Sequence, residues 1–268
     1  MTVPETTKSR ELNRVLALDI GNSQMTGGLF EDDELKSHFF TESTDLQSSL
    51  DQILSFSTGN VIISSVVPER SLQLANALAT FKLIPRILRS GDDSIIKGCY
   101  PTMGSDRIAN LIAVRKLFGE DKAHIVIDCG TATTLSSVDA EGNFSGGFIT
   151  LGYGATLDML SKRTAQLPHA PVALAREDIL GFDTESSILN GTLIGHIALI
   201  DAWIKSAHRV LSTGNNSTKI EVTATGGWSN EFANRSELTQ SIDRVDPLLT
   251  IKGVYLAGAA VMDPADRV

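Results

Sequence analysis

The sequence is poor in cysteine. The two present among 268 residues, Cys99 and Cys129, cannot build a disulfide framework, and each sits among apolar neighbours. They read as buried thiols in a reducing cytosol. An excess of positive charge is also missing: Lys and Arg number 23 against 32 Asp and Glu, a net charge of −9, and the densest basic clusters are only Arg86/Arg89 and Lys162/Arg163. Such a surface repels phosphate backbones and anionic lipid, so neither nucleic acid nor membrane is an expected partner. No uninterrupted run of about 18 apolar residues occurs, and the polar start MTVPETTKSRELNR lacks the apolar segment of a signal peptide. The reading is a cytoplasmic protein whose residues 1–13 form a disordered lead-in. The five histidines, His38, His124, His169, His196 and His208, show no metal-ligand spacing. Absence of a Gly-x4-Gly-Lys-Ser/Thr segment excludes a P-loop kinase.

What is present is an ordinary globular composition, 42% apolar and 21% charged, in a chain long enough for one large or two medium domains. One pattern occurs twice. VLALD (Val15 to Asp19) is followed by Gly21-Asn22-Ser23, the strand-like MTGGLF, the acidic tip Glu31 to Glu34 and LKSHFF. HIVID (His124 to Asp128) is followed by Cys129-Gly130-Thr131, TTLSSV, a turn at Asp139 to Asn143 and FSGGFI. Each reads as a three-stranded meander opened by Asp-x-Gly. Between them the spacing predicts helices at Asp45–Ser57 and Glu69–Phe81, strands at VIISSV and LIPRIL, and a helix capped by Ser105 or Asp106. After the second meander it predicts helices at Ala155–Thr164 and Ser186–Leu211, a strand at Lys219–Ala224 and a closing helix from Gly253. The fold class is therefore α/β, a duplication with halves at 14–118 and 119–268 and a cleft between them.

A strand-end Asp followed by a glycine turn brings backbone N–H groups near an anion and a carboxylate near a cation. Two such turns, with Ser23 and Thr26 in one and Thr131 to Thr133 in the other, suit a nucleotide triphosphate and its metal. Thr225-Gly226-Gly227 after a strand adds a point of close approach for a nucleoside. Asp106 at a helix start, held ionised by the helix dipole, is a candidate general base, and Arg107 beside it can pair with a carboxylate or a phosphoryl group. Singly, each of these is also an ordinary turn or cap.

Taken in order, LALDIGNSQ, YPTMGSDRIANL, DCGTATT, GNFSGGFI, RTAQLP, GFDT and TATGG resemble the type III pantothenate kinases, in the acetate and sugar kinase, heat-shock chaperone and actin superfamily. The resemblance implies two ribonuclease H-like (actin-like ATPase) halves, a homodimer, and transfer of the γ-phosphoryl group of ATP to pantothenate. This is the first step of coenzyme A synthesis. It implies that Asp19, Ile20, Gly21, Asn22, Ser23, Gln24, Met25 and Thr26 form the first phosphate loop, with Thr131, Gly226 and Gly227 also on ATP. Tyr100, Gly104, Ser105, Asp106, Arg107 and Thr184 would line the pantothenate pocket, with Asp106 as base. Asp128 would hold the monovalent cation, K⁺ or NH₄⁺, and Mg²⁺ would arrive with ATP. Departures are Leu151-Gly152 where Pro-Gly is usual, Asp183 where Asn is usual, Ser23 for a threonine, and a short Tyr100–Gly104 loop. The alternatives are another small-molecule kinase of the superfamily and a non-catalytic regulator like the Bvg accessory factors. The Ile194–Ile204 stretch, with Trp203, reads as helix packing and a candidate dimer contact.

Overall fold

The doubled meander becomes two five-stranded sheets of the same topology. The computed structural model describes residues 14–88, 95–168, 180–213, 219–235 and 241–261. The expected lead-in at 1–13, Arg89 and His169 lie outside the described residues. In chain order the first half has β1 (Arg14–Ile20), β2 (Gln24–Glu31), β3 (Glu34–Glu42), α1 (Leu46–Ser55), β4 (Asn60–Ser65), α2 (Pro68–Thr80), β5 (Arg86–Ile87) and α3 (Ser105–Phe118). The second half has β6 (Ala123–Cys129), β7 (Ala132–Val138), β8 (Phe144–Leu151), α4 (Tyr153–Arg163), α5 (Thr184–Leu211), β9 (Ile220–Thr225), α6 (Ser229–Ala233), β10 (Arg244–Val245) and α7 (Leu249–Val261). The sheet orders are β3-β2-β1-β4-β5 and β10-β9-β6-β7-β8, each an antiparallel meander extended by two parallel strands.

The register repeats too. Asp19 pairs with Thr26 on β2 and Ser64 on β4, while Asp128 pairs with Thr134 on β7 and Thr225 on β9. Each meander carries one irregularity, at Leu29/Phe30 and at Ser137/Val138. Of the LIPRIL segment, only Arg86–Ile87 forms a strand.

The compact units are Met1–Phe118 with Leu248–Val268, and Gly119–Pro247. The linear reading assigns α7 to the C-terminal half; in space it belongs to the first unit. There it packs on α3 and β1. Close approach makes this possible: a Cβ at Gly253 would lie 2.0 Å from the carbonyl oxygen of Ala109, and one at Gly258 would lie 2.2 Å from Ile62. Tyr255 of α7 stacks on Phe30 with centroids 4.1 Å apart, and its hydroxyl donates to Asp33. The acidic tip is therefore anchored. Helix α3 is buried from Arg107 to Arg115 without a polar face, while Leu117 is exposed.

Strand β1 sends Leu16, Leu18 and Ile20 into a core with Phe39, Ile53, Leu74 and Leu78. In the second unit Ile125, Ile127, Cys129 and Leu135 meet Tyr153, Leu157, Ile197, Ile200 and Phe232. Helix α5 is long and apolar enough to cross a membrane by length and composition. Its Ile188, Leu193, Ile197, Ile200 and Ile204 instead form this core. His124 and His196 are buried. Trp203 stacks on Phe148, centroids 5.1 Å apart, so its ring has a partner within the unit.

A Cβ at position 253 has only backbone to displace. Gly253→Ala should cost roughly 1–3 kcal/mol, the range for overpacking, whereas Gly59→Ala, with nothing within 4 Å, should leave stability level or slightly higher. Urea unfolding of the two variants checks this. A second expectation concerns acid. Buried Glu221 accepts from Lys219 at 2.8 Å and Lys122 at 2.9 Å. The Lys219 hydrogen bond is the largest effect, and its carboxyl falls from the ordinary 4.5 to about 2. A depressed folded-state value adds stability above the unfolded value that is lost as pH falls between about 4.5 and about 2. Urea midpoints of the parent should fall over that window, and Glu221→Gln should lack this part of the fall.

Candidate functional site

The first Asp-Gly turn joins β1 to β2 and is closed by Gly21 N–H donating to the Gln24 carbonyl at 3.0 Å. Its other carbonyls accept from residues outside the turn. Ser43 Oγ donates to Gly21 O at 2.7 Å, and Ser43 N–H donates to Ser23 O at 3.0 Å. The Arg70 guanidinium donates to Asn22 O at 2.5 Å and Gly21 O at 3.4 Å. Asn22, Ser23 and Gln24 are exposed. Ile20 and Met25, assigned to ATP by resemblance, are each 2% exposed and belong to the first unit's core, so only their main chain can reach a ligand. The alternation of a strand places them there.

The start of α3 lies against the same strand ends. Gly104 O accepts the first helical bond, from Ile108 N–H, so the helix opens one residue before the expected caps. Ser105 Oγ meets Ser64 Oγ at 2.9 Å and donates to Ser65 O at 3.2 Å. Since Ser64 neighbours Asp19 in register, the structure brings Asp19, Ser64 and Ser105 together, with Asp106 next to them. Ser105, expected on the substrate, is thus turned to the sheet.

Asp106 occupies the first turn, and its Oδ1 accepts from the Arg107 N–H at 2.7 Å. A Cβ at Gly104 would lie 2.4 Å from that Oδ1, so position 104 excludes any side chain while the carboxylate is seated there. Burial pushes the Asp106 carboxyl above its usual range, outweighing the Arg107 N–H and the Arg107 charge, which pull it down. The dipole alone therefore does not set its ionisation. The guanidinium of buried Arg107 donates to the half-exposed Tyr100 hydroxyl at 2.6 Å. Tyr100, Gly104, Asp106 and Arg107 form one cluster.

In the second unit, Asp128, Gly130, Thr131, Gly226 and Gly227 gather at the carboxyl ends of the parallel neighbours β6 and β9. Gly226 has φ +86°, and a Cβ there would lie 2.5 Å from Asp128 Oδ1. Thr131 is exposed, and its carbonyl accepts from Gly152 N–H at 2.9 Å. A Cβ at Gly152 would lie 2.1 Å from Gly130 O, so the glycine is needed. The adjoining Leu151 O lies 3.0 Å from His196 Nε2. These two contacts hold the loop without the proline. Thr225 Oγ1 is buried beside Asp128 with no hydrogen-bond partner among the described residues. Cys129 is buried, and its thiol is pushed well up by burial and then by the Asp128 charge, as expected of an inert thiol.

Thr184 opens α5, exposed, on a groove with Leu160, Leu167 and Phe182. The preceding Asp183 caps this helix, its Oδ1 accepting from Ser186 N–H at 2.8 Å and Ser186 Oγ–H at 2.9 Å. These bonds, the backbone one first, lower its carboxyl below the usual range. Its extra negative charge is thereby spent on the cap. Among the described residues no group of three or more His, Cys, Asp or Glu is placed to hold a metal ion. Sequence reasoning missed Ser64, Ser43 and Arg70, and took Thr225 only as part of a point of close approach for a nucleoside. For Ser64, and for the place of Thr225 beside Asp128, the available signal was the repeat, which puts a hydroxyl beside the Asp on the fourth strand of each sheet.

Solved structures with this fold include one assigned to the Baf family of transcriptional activators from Campylobacter jejuni, 22% identical, covering 92% of this chain and 98% of that one at a TM-score of 0.57. A protein assigned as a 2-dehydro-3-deoxygalactonokinase from Sinorhizobium meliloti is 15% identical over 92% of this chain and 97% of its own, also at 0.57. The ethanolamine utilization protein EutJ from Carboxydothermus hydrogenoformans is 12% identical over 96% and 91%, at 0.51. At these identities they show a shared fold of two similar α/β halves, that of actin-like ATPases and sugar kinases. The family model for type III pantothenate kinase matches residues 15–206, a span that holds both Asp-Gly turns and the start of α3. With that match over well more than half its length, the chain belongs to the type III pantothenate kinase family.

Proposed function

We propose that this protein transfers the γ-phosphoryl group of ATP to the primary hydroxyl of pantothenate, giving 4′-phosphopantothenate. The observation that carries the reading is the half-buried Asp106 carboxylate, raised in pKa, beside a guanidinium fixed by Tyr100. Phosphoryl transfer asks for positioning, charge neutralisation and one group to accept the alcohol's proton. Asp106 accepts that proton as the hydroxyl oxygen bonds to the γ-phosphorus and the bond to the β-phosphate oxygen breaks. Arg107 pairs with the pantothenate carboxylate, and Tyr100 holds its fork in place. Turn amides at Asn22 and Ser23 bind phosphate oxygens, and Mg²⁺ enters with ATP as part of the substrate. The Asp128 carboxylate and the buried Thr225 hydroxyl beside it are oxygen donors of the kind that suit K⁺ or NH₄⁺. Such a cation would supply positive charge at the end of β6. A regulator acting on DNA is disfavoured by the net charge of −9 and by the intact Asp106 cluster.

Asp106→Asn separates base from cap. Asn accepts the same Arg107 N–H, and because folding raises the carboxyl's pKa, removing the charge should leave the melting temperature unchanged or higher. Turnover should fall about 10²- to 10⁴-fold, read as ADP release at saturating pantothenate. In the parent, the rate should decline as pH falls through a value above the ordinary Asp range of about 4. A folded variant keeping more than about a tenth of parental turnover would overturn the assignment. ADP release that pantothenate never stimulates would overturn the substrate.

Replacing K⁺ by Na⁺ should lower the parental rate sharply, while Asp128→Ala should be slow in both salts. Equal parental rates in the two salts would remove Asp128 from this role.

A further inference from the structure

Arg70 is the third residue of α2, and no residue of the Asp-Gly turn lies within 40 positions of it in the chain. One of its guanidinium nitrogens nevertheless reaches two successive carbonyls of that turn, Gly21 O and Asn22 O. Ser43 takes Gly21 O and Ser23 O from β3's far end. Every peptide bond described is trans, and in a trans peptide the carbonyl of one residue and the N–H of the next point in opposite directions. Pinning the Gly21 and Asn22 carbonyls to one nitrogen therefore turns the N–H groups of Asn22 and Ser23 together to the other side. Two successive N–H groups aimed the same way form an anion-binding concavity. Under the turn is a cavity of about 150 Å³ lined by Ile20, Met25, Leu46, Leu74, Ser43 and Arg70, so a turn released from Arg70 has space to collapse into.

We propose that Arg70, seconded by Ser43, is a positioning residue for phosphoryl transfer. It sets the peptide planes of the first turn so that their amides face the nucleotide phosphates, and it touches no substrate itself. The proposal rests on the reading of this turn as a phosphate loop.

The test uses the full chain with Arg70→Met, Arg70→Lys and Ser43→Ala. Met keeps the stem and removes every donor. Calorimetric binding of ADP and a non-hydrolysable ATP analogue should weaken about 10- to 100-fold in Arg70→Met, the size of one lost charge-assisted hydrogen bond. KM for ATP should rise in step while KM for pantothenate stays level. Lys, a donor without the fork, should recover part of the loss. Backbone ¹⁵N order parameters at Asn22 and Ser23 should drop from about 0.85 to below about 0.6 in Arg70→Met. A merely structural role would lower the melting temperature and move neither KM. Parental nucleotide affinity in folded Arg70→Met, or unchanged order parameters, would overturn the proposal. If Arg70→Met does not fold, Arg70→Lys and Ser43→Ala decide by the same two readouts. A parent that binds no nucleotide would overturn the functional reading, and the order parameters would still show whether Arg70 holds the turn.

Discussion

Both Asp-Gly turns depend on burial of one strand in each sheet from both faces. Strands β1 and β6 lie between an antiparallel and a parallel neighbour and are covered above and below, so their sequences must be apolar almost throughout. A carboxylate can appear only where such a strand runs out of cover. Asp19 and Asp128 sit at those points, and the turns that follow are bound to the sheet by ladder pairs already in place. The precision of the turns is thus inherited from the cores. Leu16, Leu18 and Ile20 on one side, and Ile125, Ile127 and Cys129 on the other, fix where each Asp stops.

A second layer of control is polar and comes from the neighbouring parallel strand. Ser64 and Thr225 occupy the same place in the two repeats, yet they are used differently. Ser64 is bonded to Ser105 and ties the start of α3 to the first sheet, whereas the Thr225 hydroxyl has no such tie among the described residues. One repeat has turned this position into a fastener for the helix that carries Asp106. The other keeps it as an oxygen beside a carboxylate. Duplication supplied the frame, and single hydroxyl contacts distinguish the two copies.

Much of this was legible in the sequence, because a meander opened by Asp-x-Gly repeats as a pattern long enough to be seen. The elements between the repeats also follow from spacing, with helix ends shifted by one or two residues. What was not legible has physical causes. Ile20 and Met25 are assigned to the phosphate loop by the family resemblance, and the two-residue period of a strand turns their side chains inward, leaving their main chain for a ligand. Helix α7 follows the second repeat in the chain and packs in the first unit, a choice made by the absence of side chains at Gly253 and Gly258, which a linear pattern does not display. Arg70 is the single basic residue of a helix with no motif around it, and only its distance to the Gly21 and Asn22 carbonyls gives it meaning.

The return of α7 to the first unit also bears on how the protein is made. Synthesis runs from the N-terminus, and domains ordinarily fold in that order as they leave the ribosome. Here the sheet that emerges first has one face awaiting a helix encoded at Leu249–Val261, at the far end of the chain. At about 5–20 residues per second the delay is on the order of ten seconds. The second unit, Gly119–Pro247, is continuous in sequence and needs no such late arrival. The half that is translated first is therefore the half that is completed last, and during that interval its exposed apolar face is the part of the nascent chain most in need of shielding.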